Sequence, residues 1–190
     1  REVVGNIFPK VTGGFSSTLS WKGISLYARF DYALGHTLYN DLAARTLGQY
    51  QGAFNIITEV KDMWSEDNPN SDLPAFYYAD QLAKKNITRS NNASASRHNN
   101  SSRLYEKADY LALRELTLSW DLPKAWTSKA FIQNASVYVT GQNLFYVTGY
   151  TGTSPEPVLT NSDNNENLYG VDQGRYPTPR TVLFGLSVTF

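Results

Sequence analysis

Cysteine is absent from the chain, which removes disulfides, thiolate nucleophiles and thiolate metal sites together. Neither sign of charge is in excess, with Lys+Arg 17 balancing Asp+Glu 17. No basic run follows a phosphate backbone either, so nucleic acid is not expected as a partner. No stretch of about 18 apolar residues occurs, and a transmembrane helix is not expected. That absence leaves a membrane β-barrel open, because a barrel strand needs only ~9–11 alternating residues. Catalytic patterns are also missing: there is no G-x-S-x-G, no Walker or dinucleotide glycine pattern and no HExxH. His36 and His98 lack metal-ligand spacing and are expected as exposed loop residues. Glu106 with Asp109 could make a carboxylate pair, and is read instead as a solvated approach to a strand. Asp163, Asn165 and Asn167 resemble the oxygen-rich start of a calcium loop, without its turn glycine and closing Glu. An enzyme is therefore not expected, nor is a metal or cofactor. The chain starts at Arg1 rather than Met and shows no signal peptide, so a processed or partial chain is expected.

Aromatics are what the chain has in plenty, with Tyr 13, Phe 9 and Trp 4. Together with frequent Asn, Ser and Thr they suit strands joined by polar loops. Side chains alternate across a strand, so period-two patterns locate the strands. Phe15, Leu19 and Trp21 oppose Ser16, Thr18 and Ser20. After Lys22-Gly23, a tight-turn pair, Ile24, Leu26, Ala28, Phe30, Tyr32 and Leu34 oppose Ser25, Tyr27, Arg29 and Asp31. Alternation returns with Leu116, Leu118 and Trp120 against Glu115, Thr117, Ser119 and Asp121, and again with Ala135, Val137 and Val139 against Ser136, Tyr138 and Thr140. It ends with Val182, Phe184, Leu186, Val188 and Phe190 against Thr181, Leu183, Gly185, Ser187 and Thr189. An all-β fold of about five antiparallel strands is expected, near 12–22, 24–34, 108–121, 134–147 and 180–190.

The connections sort by length. Lys22-Gly23 and the 122–133 link are short and fall at one end, as does the C-terminus. Residues 1–11, 35–107 and 148–179 fall at the other end and are mostly long. Within them Leu38–Leu47 is expected to form a short helix starting near Asn40 or Asp41, and Asp72-Leu-Pro-Ala resembles a second helix start. Asn91 to Ser102 is a low-complexity run expected to be solvated. Trp126 and Phe131, in the short link, are placed to lie at a membrane interface. Long loops on one side and short turns on the other are the sidedness of an outer-membrane barrel, with the C-terminus periplasmic. A soluble all-β carbohydrate-binding or adhesin module is the alternative reading of the same strands.

Particular residues then resemble one family. Thr12-Gly-Gly-Phe-Ser-Ser-Thr-Leu-Ser-Trp-Lys-Gly-Ile-Ser-Leu resembles its "TGGF, strand, KG, strand" hairpin, and Gly35-His-Thr-Leu-Tyr-Asn the segment leaving it. Trp64, Asp67-Asn-Pro-Asn and Pro74 resemble a "W…NPN…P" loop. Asp109-Tyr-Leu through Leu116-Thr-Leu-Ser-Trp-Asp-Leu-Pro, Val137-Tyr-Val-Thr-Gly-Gln-Asn-Leu-Phe and Gly170-Val-Asp-Gln-Gly-Arg-Tyr-Pro-Thr-Pro-Arg-Thr follow in the same order. In order and spacing the chain resembles the C-terminal part of the SusC/RagA family of TonB-dependent outer-membrane transporters of Bacteroidetes. It departs from the pattern at Ala112-Leu-Arg-Glu, where the family is more basic, and at Trp120, where the family has Tyr.

The resemblance implies a barrel of about 22 strands with a plugged lumen, of which this chain supplies about five. It implies uptake of glycan oligosaccharides or peptides with a SusD-like surface lipoprotein, and energy through TonB, which would engage a missing N-terminal part. The plug domain would be absent from this stretch, whose other neighbours would be the rest of its own barrel and outer-membrane lipid. Phe184, Leu186, Val188 and Phe190 would form the signal read by the barrel-assembly machinery, and their strand would close the barrel against its first strand. Trp64, Tyr77, Tyr78, Tyr146 and Tyr150 are the candidate contacts for substrate or partner, by stacking on a sugar ring or touching a lid lipoprotein. The competing reading is that these aromatics pack the long loops onto one another.

Overall fold

The computed structural model describes residues 3–47, 55, 57–73, 75, 102–157 and 169–190. Five long strands form one antiparallel sheet: β1 (Val11–Trp21), β2 (Ile24–Leu34), β5 (Tyr110–Asp121), β6 (Asn134–Thr148) and β8 (Thr181–Thr189), in the order β1-β2-β5-β6-β8. Three shorter strands, β3 (Thr37–Asn40), β4 (Tyr105–Lys107) and β7 (Val171–Asp172), form a second sheet in the order β4-β3-β7.

Register decides which residues share a face. In the large sheet Trp21, Ile24, Trp120, Val137 and Leu186 line up across all five strands. The next row on that face is Leu19, Leu26, Leu118, Val139 and Phe184. Further along, Phe15, Phe30, Leu113 and Phe145 continue it, the two phenylalanine rings of β1 and β2 stacked at 5.0 Å. The opposite face carries Ser20, Ser25, Ser119, Tyr138 and Gly185 in one row and Thr18, Tyr27, Thr117, Thr140 and Leu183 in the next. Hydroxyls there pair across strands, Ser20 Oγ to Ser25 Oγ at 2.8 Å and Thr117 Oγ1 to Thr140 Oγ1 at 2.7 Å. Gly185 is small for a local reason: a Cβ there would lie 2.0 Å from Cζ of Tyr138, whose ring crosses the strand.

The apolar face has no layer over it among the described residues. Leu19, Trp21, Phe184 and Leu186 are all left exposed. A soluble sandwich buries such a face against a second sheet; here the second sheet packs elsewhere. Aromatic side chains gather at the short-turn end, where Trp120 meets Trp126 edge-on at 5.9 Å and Lys22 Nζ sits 4.7 Å over the Trp21 ring.

The β1–β2 turn is two residues long because Lys22 (φ 47) and Gly23 (φ 83) both adopt positive φ, the type I′ geometry that matches strand twist. Substituting valine at Gly23 forces a branched side chain into that region, at ~1–2 kcal/mol. A lower temperature for loss of the folded band on unheated gels is the expected result.

The long connections are folded at the other end of the sheet. Asn40 closes β3 and caps α1 (Asp41–Thr46), its Oδ1 accepting from the Ala43 N–H at 2.9 Å. The expected helix over 38–47 is therefore shorter, since Leu38 to Asn40 are strand. The helix expected to start at Asp72-Leu-Pro-Ala would lie mostly outside the described residues; within them Leu73 bridges to Met63, and the Trp64 N–H donates to the Leu73 carbonyl at 2.8 Å. Most of the Asn91–Ser102 run lies outside the described residues, as do His98, Asp163, Asn165 and Asn167. A short helix, α2 (Lys124–Thr127), occupies the 122–133 link at the opposite end.

Candidate functional site

The polar face stops being uniform where Arg114 interrupts the ladder. Between Leu113 and Glu115, β5 carries one residue more than β2 and one fewer than β6. The extra residue of β5 is Arg114, and opposite it Asn143 takes φ 52. A bulge re-aims a side chain and resets the alternation. Leu111 and Leu113 share the apolar face below it in sequence, and Leu116, Leu118 and Trp120 share it above.

The Arg114 guanidinium is fully engaged. Nε and Nη2 grip the Asp31 carboxylate in a fork, Nη2 reaching Oδ2 at 3.0 Å. Nη2 also donates to Glu156 Oε1 at 2.5 Å, and Nη1 to the Tyr146 hydroxyl at 2.8 Å. The Tyr146 hydroxyl in turn donates to Glu156 Oε1 at 2.9 Å. Charged, forked bonds of this kind are the stronger class of hydrogen bond. They join three strands to a residue in the connection after β6.

That connection lies over the sheet. Next to Arg114, the polar-face positions Ala33, Tyr110 and Ala112 are only 2%, 7% and 1% exposed and pack with Tyr146. His36 belongs to this cover: its ring meets Tyr110 edge-on, and Nε2 shares a 2.8 Å hydrogen bond with the Pro155 carbonyl. The expectation of an exposed loop histidine is overturned, since His36 is 1% exposed. The contact has a sequence separation that no local pattern reports.

Two further carboxylates tie the loops together. Asp172, fully buried in β7, accepts from the Tyr150 hydroxyl at 2.8 Å, the Thr153 N–H at 3.2 Å and the Gly174 N–H at 3.0 Å. Burial alone would raise its pKa, but the Tyr150, Gly174 and Thr153 donors outweigh it and hold the carboxyl below the usual range. Burial, followed by the Asp172 carboxylate, pushes the Tyr150 phenol far up, so it stays a donor. Glu106, in β4, accepts from the Thr151 N–H at 2.9 Å and the Asn40 side chain at 3.0 Å. It is a partly buried anchor between loops rather than a solvated group beside Asp109, whose Oδ1 accepts instead from the Gly35 N–H at 2.6 Å.

The aromatic candidates separate by position. Tyr150 is buried, its hydroxyl taken by Asp172. Tyr146 belongs to the Arg114 network on the polar face. Trp64 is exposed beside the Met63–Leu73 bridge, away from both. Tyr77 and Tyr78 lie outside the described residues. Phe184, Leu186 and Phe190 are exposed, Phe184 and Leu186 on the apolar face of β8, and Val188 pairs with Ala135 on the same face. The sequence places Asp31 on the polar face but does not mark Arg114, Glu156 or Asp172 as functional. The phase reset between Leu113 and Leu116 is the one local signal that could have flagged Arg114. Among the described residues no group of His, Asp and Glu is arranged to hold a metal ion.

No protein-family model matches the chain. Over the whole chain it is 31% identical to TonB-dependent receptor P3 of Formosa agariphila, and over 99% of the chain 30% identical to TonB-dependent receptor P26 of the same organism. It spans 17% and 18% of their lengths. A solved structure of the RagAB peptide transporter aligns over 99% of this chain and 18% of that one, with TM-score 0.70 and 28% identity. The RagAB peptide importer in its open-open state aligns over 96% of this chain and 17% of that one, with TM-score 0.66 and 28% identity. The matching strands include the antiparallel sheet, which is thus all-β barrel wall of the kind found in those neighbours. Sequence and fold together assign the chain to the SusC/RagA-like TonB-dependent receptors, as a segment of such a receptor.

Proposed function

We propose that this segment is barrel wall and surface loop of an outer-membrane transporter that imports an oligosaccharide or a peptide. In this reading β1 and β8 pair with further strands of the same barrel, of about 22 strands in all. A SusD-like lipoprotein covers the loop end, TonB drives uptake from the periplasm, and the C-terminus is periplasmic. The short signal at the end of β8 and just beyond it, from Phe184 to Phe190, directs assembly. Trp64, Tyr77 and Tyr78 remain the aromatic contacts proposed for substrate or lipoprotein. Tyr146 and Tyr150 act through loop packing.

The observation that carries the reading is the sheet's two faces. Among the described residues one is apolar, with large side chains exposed on each of the five strands, as lipid requires; the other is hydroxyl-rich and carries an ionic knot, as a water-filled interior allows. A soluble binding module would need its apolar face covered. Glycan and peptide both remain as cargo: the RagAB relative is by name a peptide importer.

Sidedness tests it. In the full-length receptor, an epitope inserted after Asn70 is expected to bind antibody on intact cells. The same epitope inserted at Lys129 should bind only after the outer membrane is opened. Equal access at both positions would rule the arrangement out.

A further inference from the structure

The connection after β6 does not rise away from the barrel mouth. It turns back over the polar face and bonds to wall and loop residues there. Glu156 reaches Arg114 and Tyr146, the Pro155 carbonyl meets His36, and Ser154 is buried. Beside these contacts Ala33 and Ala112 are buried and pack with Tyr110 and Tyr146. The double bulge supplies the remaining part, because without it residue 114 would not meet Asp31 on one side and Glu156 on the other.

We propose that Arg114 is a positioning residue that holds residues 149–157 as a fixed ledge inside the transporter's mouth. The ledge narrows the entrance on this side by a rigid element rather than a swinging loop. The inference rests on the transporter reading, since only in a closed barrel is the polar face an interior. Arg114 need not touch cargo. Its own donors are spent on Asp31, Asn143, Tyr146 and Glu156, and its effect on entry comes through where it puts Ser154, Pro155 and Glu156.

Thiol labelling reads the ledge directly. This segment has no native cysteine, so Ser154→Cys adds a single reporter to it, with the full-length receptor lacking that change as the blank. On intact cells a membrane-impermeant maleimide should react slowly with Ser154→Cys. Adding Arg114→Met should speed labelling at least about tenfold, the effect of removing the hub of a charged hydrogen-bond network from a local opening equilibrium. Arg114→Lys should fall between, because an ammonium cannot reproduce the fork. Glu156→Gln, on the ledge and not in a strand, should also speed labelling, and it serves if Arg114→Met fails to assemble. Each receptor is checked for a heat-modifiable barrel band. An intact band with unchanged labelling in the assembled variants overturns the ledge alone. A native receptor with no such band overturns the ledge and the transporter reading together.

Discussion

Arginine at Val182 in the full-length receptor is expected to block its assembly in the outer membrane, and arginine at Phe184 to do so less completely. Both side chains are exposed on the apolar face, Val182 beside Gly141 and Phe184 beside Val139. Phe184 lies one same-face row from the Trp21, Ile24 and Trp120 row, which marks the short-turn interface, and Val182 lies one row deeper. A cation on the lipid face of a barrel costs ~2–4 kcal/mol at the bilayer middle and falls toward zero near the interface. Val182→Arg should therefore approach the full penalty, and Phe184→Arg should incur a smaller part of it. Ser187→Lys, on the opposite face of the same strand, should assemble normally. The measurement is the heat-modifiable band in outer-membrane fractions. Equal assembly of Val182→Arg and Ser187→Lys would mean that the apolar face does not meet lipid.

Loss of the Asp172 carboxylate should release the loop assembly while leaving the barrel folded. Asp172→Ala leaves the Tyr150 hydroxyl, the Thr153 donors and the Gly174 N–H without an acceptor in a buried position. Each orphaned buried donor costs ~1–3 kcal/mol, and relaxation of the loop recovers part of the sum. Faster amide exchange over residues 150–157 and 170–174, with β5 and β6 unchanged, is the expected pattern. The same contact carries a pH dependence. The folded-state pKa of Asp172 lies below its unfolded value, so its contribution is complete above the ordinary carboxylate range. It declines as pH falls into and through that lower folded value. Acid should thus loosen the loops of the native receptor, and Asp172→Ala should remove this part of the acid response. A mutant with native exchange rates would show that the buried acid is not what binds the loops.

The pattern of the five long strands was legible because a barrel wall is amphipathic at every step. Trp21, Leu26, Leu118 and Val139 alternate with hydroxyl residues, and the same period holds through β8. Lys22-Gly23 was also legible, since a two-residue turn with two positive-φ positions favours a glycine at one of them. The short sheet was not legible. β3, β4 and β7 are four, three and two residues long, too short for alternation to accumulate, and β3 pairs in parallel with a strand from a different loop. Tyr150 shows why residue type alone did not locate function: a loop tyrosine suits a sugar ring and a buried carboxylate equally, and only its neighbour Asp172 distinguishes them.

By itself the sequence determined the two-faced strands, the sorting of short and long connections, and the family. Those properties are written in nearest-neighbour periodicity and in ordered motifs. Tertiary structure alone decided that Arg114 is a bulge residue, that His36 is buried, and that the chain around Glu156 turns back to meet Arg114. Each of these depends on groups far apart in sequence meeting in a partly desolvated space. There the strength of a charged hydrogen bond is set by geometry and by exclusion of water, neither of which a linear pattern carries.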